Sequence, residues 1–229
     1  MNSIQDKMQV EIWSDVMCPF CYIGKRKFEA AMSEFKDASS IAIIWKSFQL
    51  SPGMKTDTGK NIHQYLSEHK GISPEDAKAM NDRMANTARQ VGLHLDFDKA
   101  IPANSFNAHR FSHLAKHHGL QAEAEERLFK AYFTEGKNTD DLPTLVLLGE
   151  EIGLDASEVK RVLDSDQYAD EVRHDLLEAR QIGIRGVPFF AFDRKVAVSG
   201  AQDSKVFLDA LTKTFAQWRK ENPAKVYQM

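Results

Sequence analysis

A chain of 229 residues with a formal charge of −3, its acids and bases interspersed, offers no basic face for nucleic acid. Its hydrophobic share of 42% and charged share of 28% are those of a globular protein that can bury a core without staples. It has no run of about 18 apolar residues, which argues against a membrane span. The opening MNSIQDKMQVEIWSDV also lacks the apolar stretch and cleavage site of a signal peptide, so a cytoplasmic location is expected.

In chain order, residues 9–14 (QVEIWS) alternate Val10 and Ile12 with polar neighbours, which predicts a short strand. Cys18-Pro19-Phe20-Cys21 follows at once. Phe28, Ala31, Met32 and Phe35 then recur at helical spacing, predicting a helix over roughly 19–36 with Pro19 in its first turn. Residues 41–48 (IAIIWKSF) are rich in β-branched and aromatic side chains and predict a second strand. Trp13 and Trp45, one on each strand, are assigned to the core.

Residues 51–60 form the one obvious long loop, and from about 61 to 182 the pattern reads as helical throughout. Ser73-Pro74-Glu75-Asp76 is a helix start with a capping serine and early acids. Another helix opens at Asn104 or Ser105 and stops near Gly119. Residues 121–135 and 141–152 follow, with Gly153 as a stop, then a capping box from Asp155 to Glu158 and a helix from about 168 to Gly183. The strand signal returns in 187–192 (VPFFAF) and 195–199 (KVAVS), joined closely enough for a hairpin. Asp203 caps a final helix with Leu208, Leu211, Phe215 and Trp218 on one face.

The predicted order is β-α-β, helices, β-hairpin, α. The two cysteines are too few for a disulfide framework or a four-cysteine zinc site. A CxxC where a strand meets a helix points instead to redox chemistry. Unpaired N–H groups at a helix start favour an anion, which nominates Cys18 as attacking thiolate and Cys21, one turn inside, as resolving thiol. Asp15, three residues before Cys18, has two readings: a proton relay for Cys21, or a loop aspartate bonded to backbone. His109, His113 and His117 share a helix face and are assigned to a solvated polar face, as is the run Lys25-Arg26-Lys27; no metal is expected.

SDVMCPFCYIG, NSFNAHR and GIRGVPFFAF together resemble the DsbA-like thioredoxin family, and within it the cytosolic FrnE-like proteins. The resemblance implies an α/β, thioredoxin-like fold with a large all-helical insertion between the β-α-β half and the β-hairpin-α half. Residues 1–60 and 168–229 would form the thioredoxin-like domain and 61–167 the insertion. It also implies a cis bond at Val187-Pro188 facing the cysteines, with the Val187 backbone free to pair with substrate. Asn104, Phe106 and His109, with Phe20, are expected to line a substrate groove.

The activity so implied is that of a protein-disulfide oxidoreductase or isomerase. Its partners would be disulfide-containing proteins or small-molecule thiols, and the assembly a monomer or homodimer. No cofactor is required; glutathione is the candidate electron donor, with a carboxylate site near Gly200-Ala201-Gln202-Asp203. Two alternatives stand beside it. One is a glutathione-dependent transferase or isomerase of the kappa or chromene-carboxylate type, whose attacking position is typically serine. The other is a redox-sensing peptide-binding chaperone.

Overall fold

A computed structural model describes residues 6–223. The first five residues of the opening read above lie outside the described residues, as do the last six of the segment 168–229.

The strands are β1 (Met8–Ser14), β2 (Ile41–Ser47), β3 (Phe189–Phe192) and β4 (Val196–Ser199), side by side in the order β2-β1-β3-β4. β1 runs parallel to β2, with Ile12 opposite Trp45, and antiparallel to β3, with Ile12 opposite Phe190. β4 turns back antiparallel on β3. Helix α1 (Pro19–Glu34) joins β1 to β2, and α9 (Ser204–Glu221) follows β4. This is a thioredoxin-like fold with a mixed four-stranded sheet.

Strand alternation sends Val10, Ile12, Phe190 and Phe192 to one face of the sheet. There they meet Phe28 of α1 and Phe207, Leu211 and Phe215 of α9. The Phe28 ring lies 5.4 Å from Phe190 and 5.8 Å from Phe207, centroid to centroid. Phe207 heads the buried stripe of α9 where the spacing had placed Leu208, which is only partly buried. Trp13 and Ala191 point to the opposite face and pack with Ala179 of α8 (Ala169–Gln181).

Between β2 and β3 lie α2 (Ile62–Lys70), α3 (Pro74–Arg89), α4 (Phe106–His117), α5 (Gln121–Phe133), α6 (Leu142–Glu151), α7 (Ala156–Leu163) and then α8. Their core gathers Phe111, Leu114, Leu128, Phe129, Leu148 and Val159. The same cluster includes Cys18, Cys21, Tyr22 and Ile23, so the cysteine pair sits where the helical core meets the sheet domain.

The helical signal is broken over a long stretch between α3 and α4, against expectation. Residues 90–105 form neither helix nor strand. Gly92, at a φ of 76°, turns the chain away from α3, and Leu93, Leu95 and Phe97 are buried at alternate positions. That period of two marks extended chain laid over the helices.

Candidate active site

Cys18 is the N-cap of α1, extended at φ −94° and ψ 109°, and Pro19 takes the first helical position. Its N–H bonds the Asp15 carbonyl at 3.0 Å, and its carbonyl accepts from the Cys21 N–H at 3.0 Å. The chain is thus pinned in a tight turn that leads β1 into the helix. Both cysteines are free thiols. Cys18 is 3% exposed but lines a cavity of about 480 Å³; Cys21 is 1% exposed and does not. Burial pushes the Cys21 thiol well up, and the neighbouring Cys18 pushes it further; the Asp15 backbone N–H and the Ser14 hydroxyl pull the other way.

The bond at Val187-Pro188 is cis. The Val187 carbonyl accepts from the Cys18 thiol at 3.5 Å. Gly24 makes this approach possible, because a Cβ there would lie 2.9 Å from Pro188 Cγ and 3.6 Å from the Ala201 Cα. Gly24→Ala is therefore expected to push α1 off Pro188. The cost should be about 1–3 kcal/mol of stability, read from urea unfolding, together with slower reaction at Cys18. An alanine variant of unchanged stability and reactivity would show that this contact is slack.

The cavity beside Cys18 is walled mainly by apolar groups. Met17 and Phe20 come from the active-site turn, Ile62 and Leu66 from α2, and Met80 and Met84 from α3. Phe20, 47% exposed, lines it beside Cys18, and the exposed His69 and Lys70 of α2 add polar groups to its wall. Nothing in the residue pattern marks α2 and α3 as walls, since their apolar stripes look like any buried helix face.

Asp15 is fully buried. Its carboxylate accepts from the backbone N–H of Leu50 at 2.7 Å and of Met17 at 3.4 Å. These bonds match the backbone-bonded reading and tie the loop after β2 to the turn before Cys18.

His109 corrects two expectations. It is 2% exposed and lies outside the cavity wall, with Nε2 2.8 Å from the Phe48 carbonyl and 3.7 Å from Asp15 Oδ1. Burial lowers its affinity for a proton, but the hydrogen bond and charge of Asp15 outweigh that and raise it overall. The supposed solvated histidine face is likewise turned inward at His113, which meets Asp175 at 3.0 Å and Ser47 at 3.2 Å. These polar partners come from distant segments, which a helical pattern does not display.

Asn104 and Phe106 also lie off the cavity wall. Asn104 Oδ1 accepts from the Phe106 N–H at 2.9 Å and from Gln49 at 3.0 Å, and its amide donates to the Met54 carbonyl at 2.7 Å. It fastens the loop after β2 to the start of α4. The Phe106 ring faces the Arg173 guanidinium at 5.8 Å.

Lys25 and Arg26 are not merely solvated. Lys25 is buried and meets Glu126 of α5 at 2.6 Å, and Arg26 pairs with the same carboxylate. Burial alone would raise Glu126, but Arg26 and Lys25 hold it down at about 2. The carboxylate site expected near residues 200–203 is filled from within, since Asp203's own side chain caps the Lys205 N–H at 3.0 Å.

The family model of the DSBA-like thioredoxin domain matches residues 9–212. The chain belongs to that family. A probable DsbA oxidoreductase from Streptomyces coelicolor is 39% identical, with 91% of this chain and 90% of that one covered and a TM-score of 0.86. The uncharacterized protein YwbO of Bacillus subtilis (strain 168) is 28% identical over 209 residues, 90% of this chain and 96% of its own. The cytosolic disulfide reductase DsbM of Pseudomonas aeruginosa is 20% identical with a TM-score of 0.60, covering 92% of this chain and 98% of its own, and at that identity shares the fold. In this DSBA-like domain no helix among the described residues is long and apolar enough to cross a membrane.

Proposed function

We propose that the protein is a thiol–disulfide oxidoreductase of the FrnE-like kind, with Cys18 as attacking thiolate and Cys21 as resolving thiol. The observation that carries this reading is the asymmetry of the pair. Cys18 caps a helix and faces the cavity, while Cys21 is sealed one turn inside. A sulfur at a helix start is favoured as the anion, and the anion is the nucleophile. A serine at the attacking position, typical of the kappa-type transferases, would hold a thiol without forming a disulfide; this chain has a cysteine there and a second one in reach.

The cavity supports a substrate class. Its size is in the range of small-molecule sites, and its walls are mostly apolar. They suit a disulfide carrying one large apolar group, either a small molecule or a bulky side chain beside a peptide cystine. Glutathione, charged at both ends, fits these walls poorly as the oxidised substrate. Its proposed place is that of electron donor, in keeping with DsbM, which is also known in a structure with GSH. A cytosolic site of action belongs to the same proposal.

Met84→Glu is the test of the substrate class. A charge on that wall should raise KM for an aryl disulfide by about ten-fold or more, the discrimination one apolar contact gives. Turnover of bis(2-hydroxyethyl) disulfide, which has no apolar group to seat, should stay within about two-fold of wild type, since the cavity then supplies little binding. Equal losses on both substrates would remove the cavity from the account.

A further inference from the structure

Ser14 ends β1 on the strand face shared by Val10 and Ile12. Those residues pack beneath α1 with Phe28 and Ala31, so the same face carried one step further reaches the first turn of α1, where Cys21 lies. Ser14 is 2% exposed, and its hydroxyl has no hydrogen-bond partner of ordinary geometry among the described residues. An unpaired buried hydroxyl is destabilising, and native proteins keep few of them. Alanine would serve stability better at this position. The Ser14 hydroxyl is among the groups that favour the ionised form of the Cys21 thiol.

We propose that Ser14 is a catalytic residue whose hydroxyl donates a hydrogen bond to the Cys21 sulfur in the steps where that sulfur is anionic. The inference rests on reading Cys18 and Cys21 as an exchange pair. In the forward direction Cys18 has attacked a substrate disulfide RSSR′, releasing R′S⁻ and leaving a Cys18–SR mixed disulfide. Cys21 loses its proton to solvent and attacks the Cys18 sulfur. The Cys18–Cys21 bond forms, the Cys18–SR bond breaks, and RS⁻ leaves to take up a proton. The substrate gains two electrons and the protein dithiol loses them. In reverse, Cys21 is the leaving thiolate.

Burial makes that anion costly, and a hydroxyl that donates to it offsets part of that cost with a charge-assisted hydrogen bond. Cys21 titrates among few ionisable neighbours. Cys18, on its own helix, acts on it directly; Asp15, after β1, touches it through the backbone and in turn raises His109 of α4 and, with burial, the Tyr132 hydroxyl of α5.

Reduced protein mixed with 5,5′-dithiobis(2-nitrobenzoate) separates the two steps by stopped flow. The first thionitrobenzoate release reports attack by Cys18, and the second reports resolution by Cys21. Ser14→Ala should slow the second release by about ten-fold, the scale of one hydrogen bond to a charged group, and move its pH profile to the alkaline side. The first release should stay within about two-fold, because Cys18 makes no use of this hydroxyl. Ser14→Thr, which keeps the hydroxyl, should restore the wild-type profile. The melting temperature of the alanine variant should hold or rise. The assignment is overturned if the alanine variant resolves as fast as wild type, slows with no movement of the profile, or melts markedly lower. Failure of threonine to rescue overturns it as well. Absence of a second release in wild type would instead sink the exchange-pair reading, and Ser14 with it.

Discussion

Cys18→Ser abolishes disulfide exchange, with an expected loss on the order of a thousand-fold or more, because no other group in the site can act as the nucleophile. The chain has two cysteines, and Cys21 is buried in the first turn of α1 with its thiol driven up by burial, so it cannot substitute. Cys21→Ser is expected to behave differently. The first attack survives, but the adduct on Cys18 can no longer be resolved. Incubation with a disulfide substrate, followed by mass spectrometry without reductant, should show a stable mixed disulfide in the Cys21→Ser variant and unmodified Cys18→Ser protein. Full activity in Cys18→Ser would defeat the assignment, and an adduct forming on Cys21 instead would reverse the two roles.

The largest effect on stability is expected at Asp175. One buried carboxylate of α8 accepts from the Ser47 N–H at 2.9 Å, meets His113 at 3.0 Å and pairs with Lys46 at 2.9 Å. It joins β2, α4 and α8, so it holds the sheet to the helices. Asp175→Ala leaves His113 and the Ser47 amide buried without that partner, and should cost about 3–5 kcal/mol in urea unfolding. Burial alone would raise the Asp175 carboxyl, but His113, the Ser47 amide and Lys46 hold it down at about 2. The sign of the pH dependence follows. A carboxyl depressed in the folded state stabilises the protein above its unfolded value near 3.9, and that contribution is lost as pH falls toward about 2. Wild type should therefore lose roughly 2 kcal/mol across this window from Asp175, and Asp175→Asn should lose correspondingly less. Parallel acid curves for the two proteins would place the stabilising charge elsewhere.

The sheet domain was legible because its signals are local. Alternation in β1, a proline after Cys18, then helical spacing through Phe28 and Ala31 mark the turn that carries the cysteines. GVP before FFAF marks the strand that faces them. The cavity was not legible in the same way. Met80 and Met84 look like core on a helix, and only the packing of α2 and α3 over the cysteine turn leaves them facing open space. Asn104 and His109 stood out as polar residues in a distinctive stretch, which suggested contact with substrate. Their partners are Met54, Phe48 and Asp15, brought close by the loop after β2, so the stretch anchors that loop instead. Lys25 misled for the opposite reason. A run of three basic residues suggests solvent, and the carboxylate of Glu126 that draws Lys25 and Arg26 inward lies on α5, a hundred positions away.

Redox equilibration tests the central claim most directly. The purified protein is brought to equilibrium across a series of glutathione ratios, its free thiols are alkylated under acid quench, and the intact chain is weighed. The expected result is a single two-electron transition from doubly alkylated chain to unalkylated chain holding a Cys18–Cys21 disulfide. Two alkylated cysteines at every ratio, or a glutathione adduct on Cys18 that accumulates without ever closing to the internal disulfide, would contradict it.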